Sequence, residues 1–236
     1  MFTIVEWIIL LLASFIPPLI YAVWIRNTER CHRQTWGSIL LCFLWGATIA
    51  VIAAIILHMI LEISFAISFE EVTMGPLFAV VVIAPIAEEI AKPLGLRLKG
   101  VKKHITELED GLIYGAVAGL GFSATENLLY GYSFLTEGFL YFILLIGLRS
   151  IGGCLLHASA TALTGYGYGK TLLKHTSVLR IIPYFILAMI VHGVYNLTVS
   201  FELPGVITGL VLAFLFVIVS ISLIRKKIML LDAKNC

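Results

Sequence analysis

Seven ionisable side chains lie inside long apolar stretches of this 236-residue sequence: Glu88, Glu89, Lys92, Glu126, Arg149, His157 and His192. A charged residue at the centre of a membrane-spanning helix costs about 2.5–3.5 kcal/mol, unless it is paired, protonated or bound to another group. Carboxylates and imidazoles take protons from water, and they also bind zinc. The set therefore indicates a site that uses proton transfer or a metal ion inside a membrane.

Helical spacing predicts that the histidine and glutamate side chains share an interior. Gly115, Gly119 and Glu126 fall at i, i+4 and i+11, so Glu126 continues the face on which small residues let another helix approach. By the same spacing His157 and Thr161 lie on one face of the next apolar stretch. Both faces are expected to point into the bundle.

The two adjacent acids, Glu88 and Glu89, are expected to have different roles. Lys92 can pair with Glu88 at i, i+4, which leaves Glu89 about 100° away around the helix. Pro85 removes a backbone donor and is expected to loosen the turn before the acids. Two neighbouring carboxylates in a low dielectric do not both ionise easily, so one of them has the profile of a general base. The spacing leaves open which one it is.

These side chains need helices to position them, and the composition supplies the elements. Of the 236 residues, 60% are hydrophobic and 13% are charged, against about half and a quarter in soluble domains. We therefore expect an all-α, polytopic bundle in one integral membrane domain, 1–236, with a catalytic core at about 74–201. Seven apolar runs are long enough to span a bilayer: 3–25, 36–60, 74–96, 110–133, 139–168, 179–201 and 204–224.

The charge pattern predicts an orientation. Fourteen of the sixteen Lys and Arg residues fall in alternate connections, while Glu62, Glu70, Glu71, Glu137 and Glu202 lie in the intervening ones. Positively charged loops stay in the cytoplasm, so the N-terminus is expected outside and the C-terminus inside. The expected location is the cell membrane as a multi-pass protein. The dispersed basic residues predict no nucleic-acid partner, and the sequence indicates no particular oligomeric state.

The cysteines predict little chemistry. Cys31, Cys42, Cys154 and Cys236 show no C-x-x-C spacing, and two of them lie in apolar runs. Neither a disulfide framework nor a thiolate zinc site is expected from this pattern.

Four motifs on consecutive apolar runs resemble the PrsW family of intramembrane proteases: E-E-x-x-K at 88–92, F-x-x-x-E-N at 122–127, an isolated histidine at 157 and H-G-x-x-N at 192–196. The resemblance covers about 80–200 and implies a distant relationship to the CAAX prenyl endopeptidase and Abi superfamily. That branch is expected to show E-E-x-x-x-R and F-x-x-x-H. Lys92 and Glu126 stand in place of the arginine and histidine, which favours the PrsW branch.

The resemblance implies endoproteolysis of membrane proteins, in some bacteria of anti-sigma factors. Peptide hydrolysis needs an activated water, a base and a donor to the developing oxyanion. Candidate catalytic residues are Glu88 or Glu89 as base and Asn196 as donor. The water-activating or metal-binding candidates are Glu126, His157 and His192. The supporting candidates are Lys92, Asn127 and Arg149.

Several alternatives remain open from the sequence. One carboxylate and two imidazoles can hold Zn²⁺ with a water in the fourth position, and a metal-free glutamic protease can use the same groups directly. Glu126 can instead be a structural ion-pair partner of Arg149. The expected partners are the lipid bilayer and a membrane-protein or peptide substrate. The rival functions are a CAAX-type prenyl-protein endopeptidase and a transporter that uses the buried groups as a proton or ion relay.

Overall fold

A computed structural model describes residues 3–68, 75–200 and 205–236. Glu70, Glu71 and Glu202 and the edges of three predicted spans, at 74, 201 and 204, lie outside these residues. The α-helices in the described part run in this order: α1 Ile4–Arg26, α2 Trp36–Trp45, α3 Val51–Ser68, α4 Pro76–Phe78, α5 Ala84–Ala91, α6 Lys99–Lys102, α7 Leu108–Glu137, α8 Phe139–Leu173, α9 Ile182–Ser200 and α10 Val206–Asn235. The all-α prediction is confirmed.

Within the described residues, five helical segments are long and apolar enough to cross a membrane: Ile4–Arg26, Trp36–Phe65, Phe139–Leu173, Val178–Ser200 and Val206–Asn235. The predicted count of seven and the orientation of the termini are not confirmed by this criterion. Two predicted spans do not meet this criterion. One is the segment that carries Glu88, Glu89 and Lys92, and the other is the glycine-rich helix α7. The first is an interrupted helix with three charged residues, and the second contains many glycine and polar residues.

The segment that carries the adjacent acids is an interrupted helix. A wide π-helical turn at Ala79–Ile83 separates α4 from α5, and a 3₁₀ segment at Lys92–Arg97 follows α5. Pro85 stands in the first turn of α5, where its missing N–H cannot complete the hydrogen bonding of the preceding turn. The predicted loosening before the acids is thus present. A second π-helical turn, Gly46–Ala50, joins α2 to α3.

Helices α7 and α8 form a long hairpin around which the other elements pack. Gly138 alone lies between them, with a φ of 143° that is available to glycine without strain. A Cβ on Gly115 would lie 2.5 Å from the carbonyl oxygen of Thr161, and a Cβ on Gly119 would overlap the carbonyl of His157. The predicted small-residue face of α7 therefore contacts the backbone of α8 directly.

One expectation about the cysteines is wrong. Cys31, in the connection between α1 and α2, forms a disulfide with Cys236 after α10, with the Cα atoms 5.7 Å apart. The two cysteines are separated by 205 residues, so their proximity follows from contacts between the α1–α2 connection and α10, such as the hydrogen bond from Arg225 Nε to Thr28 Oγ1, and not from local spacing. Cys42 and Cys154 are buried free thiols, as expected of small hydrophobic residues.

Candidate active site

Lys92 is the centre of a buried polar cluster contributed by α5, α7, α8 and α9. Its side chain has no exposed surface, and its Nζ donates to Glu89 Oε1 at 2.7 Å and to Glu88 Oε2 at 3.0 Å. The third neighbour is His157 Nδ1, also at 3.0 Å. An ammonium group only donates hydrogen bonds, so this nitrogen of His157 is the acceptor. The predicted Glu88–Lys92 pair is confirmed, and Lys92 reaches Glu89 as well.

Glu89 is fully buried and has a donor on each oxygen. Besides Lys92, His192 Nδ1 lies 2.9 Å from Oε1, and the hydroxyl of Thr161 donates to Oε2 at 3.0 Å. A carboxylate facing Nδ1 holds the hydrogen of a neutral imidazole there and leaves Nε2 as an acceptor. Glu89 therefore orients His192, and each of its oxygens has a donor although the residue borders a separate cavity of about 730 Å³.

Glu88 has the opposite environment. Its side chain is 13% exposed, and it lines a cavity of about 370 Å³ together with Glu126. The other lining residues are mostly apolar and come from α3, α5 and α7, among them Ala54, Met59 and Leu129. Glu88 Oε2 lies 3.7 Å from His157 Nδ1 and 3.7 Å from His192 Nε2. An apolar chain in this cavity would thus meet Glu88 and Glu126, but not Glu89.

Glu126 connects this cluster to Arg149. Glu126 Oε2 lies 2.6 Å from His157 Nε2 and 3.0 Å from Arg149 Nη2. The Nε of Arg149 donates to Asn127 Oδ1 at 3.0 Å. The ion pair and the contact with histidine, which the sequence left as alternatives for Glu126, are both present. The supporting residues Asn127 and Arg149 hold Glu126 in place.

The acids of α5 and Glu126 lie on different helices, but they belong to the same cluster. His157 spans the gap, because its Nδ1 meets Lys92 and its Nε2 meets Glu126. The ring of Phe122 packs 5.6 Å from the imidazole of His157 between centroids, and Lys92 Nζ lies 4.7 Å from the centroid of the same phenyl ring. The cluster is therefore continuous from α5 to α7.

The side chain of Asn196 forms its hydrogen bond outside the polar cluster. Its Nδ2 donates to the backbone carbonyl of Val80 at 2.9 Å, within the π-helical turn before α5. The turn leaves this carbonyl available, and the amide ties α9 to it. The role of Asn196 as oxyanion donor stays a prediction.

The predicted metal ligands were Glu126, His157 and His192, but in the structure Glu88 takes the place of Glu126 in this set. Ligand atoms of Glu88, His157 and His192 lie within 4.8 Å of one another, whereas Glu126 contacts the far nitrogen of His157. Two histidines and a glutamate are a ligand set of catalytic zinc sites. With neutral histidines, three carboxylates face the two cations Lys92 and Arg149, so the cluster has an excess negative charge that suits a cation or a proton.

Thr161 holds Glu89 by a hydrogen bond that sequence reasoning did not predict. The face that it shares with His157 was predicted, but its hydrogen bond to Glu89 depends on how α5 packs against α8. A threonine one helical turn from a candidate histidine is the signal that could have suggested this partner.

Comparison with known proteins agrees with this arrangement. Residues 34–223 match the family described as PrsW family intramembrane metalloprotease. The chain is 33% identical over 125 residues to Protease PrsW of Clostridioides difficile (strain 630). That match covers 52% of this chain and about half, 51%, of the relative's length. No solved structure matches. Because the family match extends over most of the sequence and includes every residue of the buried cluster, the chain belongs to the PrsW family of intramembrane metalloproteases.

Proposed function

We propose that this protein is an intramembrane endopeptidase that hydrolyses peptide bonds of membrane-protein substrates. The observation that carries the proposal is the position of Glu88, beside His157 and His192 at the inner end of an apolar cavity of about 370 Å³. The cavity accepts an apolar peptide segment, and the polar cluster provides groups that bind and deprotonate water.

In the metal-free form, the residues of the cluster have distinct tasks. Glu88 accepts the proton of the attacking water, and His192 Nε2 orients that water. Glu89 fixes His192, and Glu126 fixes His157 through its Nε2. The positive charge of Lys92 stabilises the anionic carboxylates and is the nearest cation to an oxyanion formed beside Glu88.

A zinc ion fits the donor set. Glu88, His157 Nδ1 and His192 Nε2 would hold it, and Lys92 would then release Glu88 and His157 and keep Glu89. When bound, zinc lowers the pKa of a coordinated water to about 7. In a metal-free form, Lys92 supplies the positive charge in the same place.

The wider assignments belong to the same proposal. We propose that the chain is one integral membrane domain of the cell membrane with seven spans, N-terminus outside and C-terminus inside. The apolar cavity favours single-pass membrane proteins, such as an anti-sigma factor, as substrates. The distant relationship to the CAAX and Abi superfamily rests on the shared order of motifs.

The test is cleavage of a single-pass substrate by the purified protein in liposomes. Glu88→Gln keeps the size of the side chain but removes the base, and positioned general bases contribute about 10²–10⁴-fold to rates. We expect at least a 100-fold loss of cleavage. Glu137→Gln is the matched control, because Glu137 is exposed at the end of α7, and it should cleave like wild type.

The same assay separates the rival forms. Loss of cleavage with a chelator and recovery with zinc would support the metal-bound form, and resistance to prolonged chelation would support the metal-free form. Ion flux across the liposomes with no peptide cleavage would contradict the protease assignment and support the relay.

A further inference from the structure

A second group of potential metal ligands lies apart from the proposed active site. Ligand atoms of Cys31, Asp232 and Cys236 lie within 4.8 Å of one another. We propose that these residues bind a thiophilic divalent metal ion of the zinc class when the two cysteines are reduced. The site is independent of the peptidase proposal, because none of its residues contacts the buried cluster of α5, α7, α8 and α9.

The fold presents the three side chains together. Asp232 and Cys236 are four residues apart at the end of α10, so they lie on one helical face. Cys31 comes from the connection between α1 and α2, and Asp232 fixes that connection by accepting backbone N–H groups. Its two carboxylate oxygens accept from Arg30 at 2.9 Å and from Cys31 at 3.1 Å. Asp232 is buried, whereas both cysteines are exposed, so an ion can enter from the aqueous side.

The redox environment favours thiolates over the disulfide. In the proposed orientation the basic segments around Cys31 and at the end of α10 are cytoplasmic, and cytoplasmic reductants keep thiols reduced. On metal binding the two thiols release their protons, and the two thiolates and the carboxylate then place three negative charges around the ion. In the described part of the chain, Asp232 forms no ion pair with Lys or Arg. A divalent cation balances most of this charge.

The donor types select the ion. Thiolate ligands favour soft or borderline ions, and mixed sulfur and oxygen donors suit zinc better than magnesium or calcium. Three protein ligands leave a fourth position for water. The disulfide and the metal use the same sulfur atoms and therefore exclude each other. Bound metal would hold the α1–α2 connection to the end of α10 in a reducing compartment, as the disulfide does in the structure.

The experiment uses the full chain, purified in detergent under reducing, metal-free conditions and titrated with Co²⁺. Sulfur-to-cobalt charge transfer gives a near-ultraviolet band that only cysteine ligation produces, and the proposed active site contains no cysteine ligand. We expect the band in wild type at one equivalent of Co²⁺, and its loss in Cys31→Ser and in Cys236→Ser. Glu88→Gln and Cys154→Ser should keep it, because the first alters the other site and the second a buried free thiol.

Three outcomes would overturn the proposal. Reduced wild type that gives no band, or a band that persists in both Cys31→Ser and Cys236→Ser, excludes this site. Protein isolated from cells with a quantitative Cys31–Cys236 disulfide would also exclude it, because no thiolates would be available. Both cysteines are exposed, so the serine variants are expected to fold, and their thermal unfolding checks this directly.

Discussion

At the scale of single residues, Glu88 and Glu89 are neighbours in sequence with different tasks. Glu89 is saturated by Lys92, His192 and Thr161 and holds them in place. Glu88 shares Lys92 but keeps contact with the cavity. A buried carboxylate is tolerated when its lone pairs are satisfied, and a reactive one needs an open side. In the proposed mechanism, Glu89 positions other side chains and Glu88 takes part in the reaction.

The hydrogen bond from Thr161 to Glu89 provides a residue-scale prediction. Hydrogen bonds to charged groups contribute about 1.5–3 kcal/mol, so Thr161→Val should lower the free energy of unfolding by about that amount and reduce cleavage. Thr164→Val is the matched control, one turn away on α8, because the Thr164 hydroxyl is buried with no hydrogen-bond partner in the described structure. It should leave stability unchanged or raise it. Thermal unfolding in detergent measures both, and equal losses would contradict the assigned hydrogen bond.

Residue types and spacing predicted much of this site, but not which of the two adjacent acids faces the cavity. The Glu88–Lys92 spacing, the inward face of Glu126 and the shared face of His157 and Thr161 all follow from helical geometry. Which of Glu88 and Glu89 faces the cavity depends on where α8 and α9 pack around α5, and local spacing does not contain that information. For the same reason the Cys31–Cys236 contact was not predicted.

At the scale of elements, the glycine contacts between α7 and α8 set the position of His157. Backbone groups of the two helices touch without intervening side chains along this contact. The glycine spacing predicted this contact for Gly115 and Gly119, and Gly165 on α8 meets the same face of α7. Gly153 differs, because the nearest atoms to a Cβ there belong to Arg149 of the same helix.

Gly119→Ala tests the close contact of α7 and α8. The new Cβ would overlap the carbonyl of His157, so α7 must move away, and overpacking of this kind costs about 1–3 kcal/mol. We expect lower thermal stability and a large loss of cleavage, because Glu126 moves away from His157. Gly147→Ala is the control on α8, since no atom lies within 4 Å of its Cβ position, and helix propensity favours alanine by up to about 1 kcal/mol. A Gly119→Ala protein as active as Gly147→Ala would contradict this account.

At the scale of the whole molecule, the proposed seven spans predict on which side of the membrane each loop lies. Seven spans place Lys103 on the same side of the membrane as Lys174, whereas the five strongly apolar spans alone would place it with Glu137. Single cysteines at these three positions, in a background without Cys31 and Cys236, can be labelled in intact cells with an impermeant maleimide. We expect labelling at 137 only. Labelling at 103 would contradict the seven-span arrangement.

The contact of α7 and α8 also determines how the protein can admit a substrate. If a peptide is wider than the opening of the cavity, one wall of the cavity must move to admit it. Along the α7–α8 contact, backbone meets backbone, and neither helix can slide without a clash. The opposite wall is α3, whose side chains line the cavity and which begins after the π-helical turn Gly46–Ala50. For the proposed peptidase, this favours α3 as the wall that moves when a substrate enters, while Glu126 on α7 and His157 on α8 stay in place.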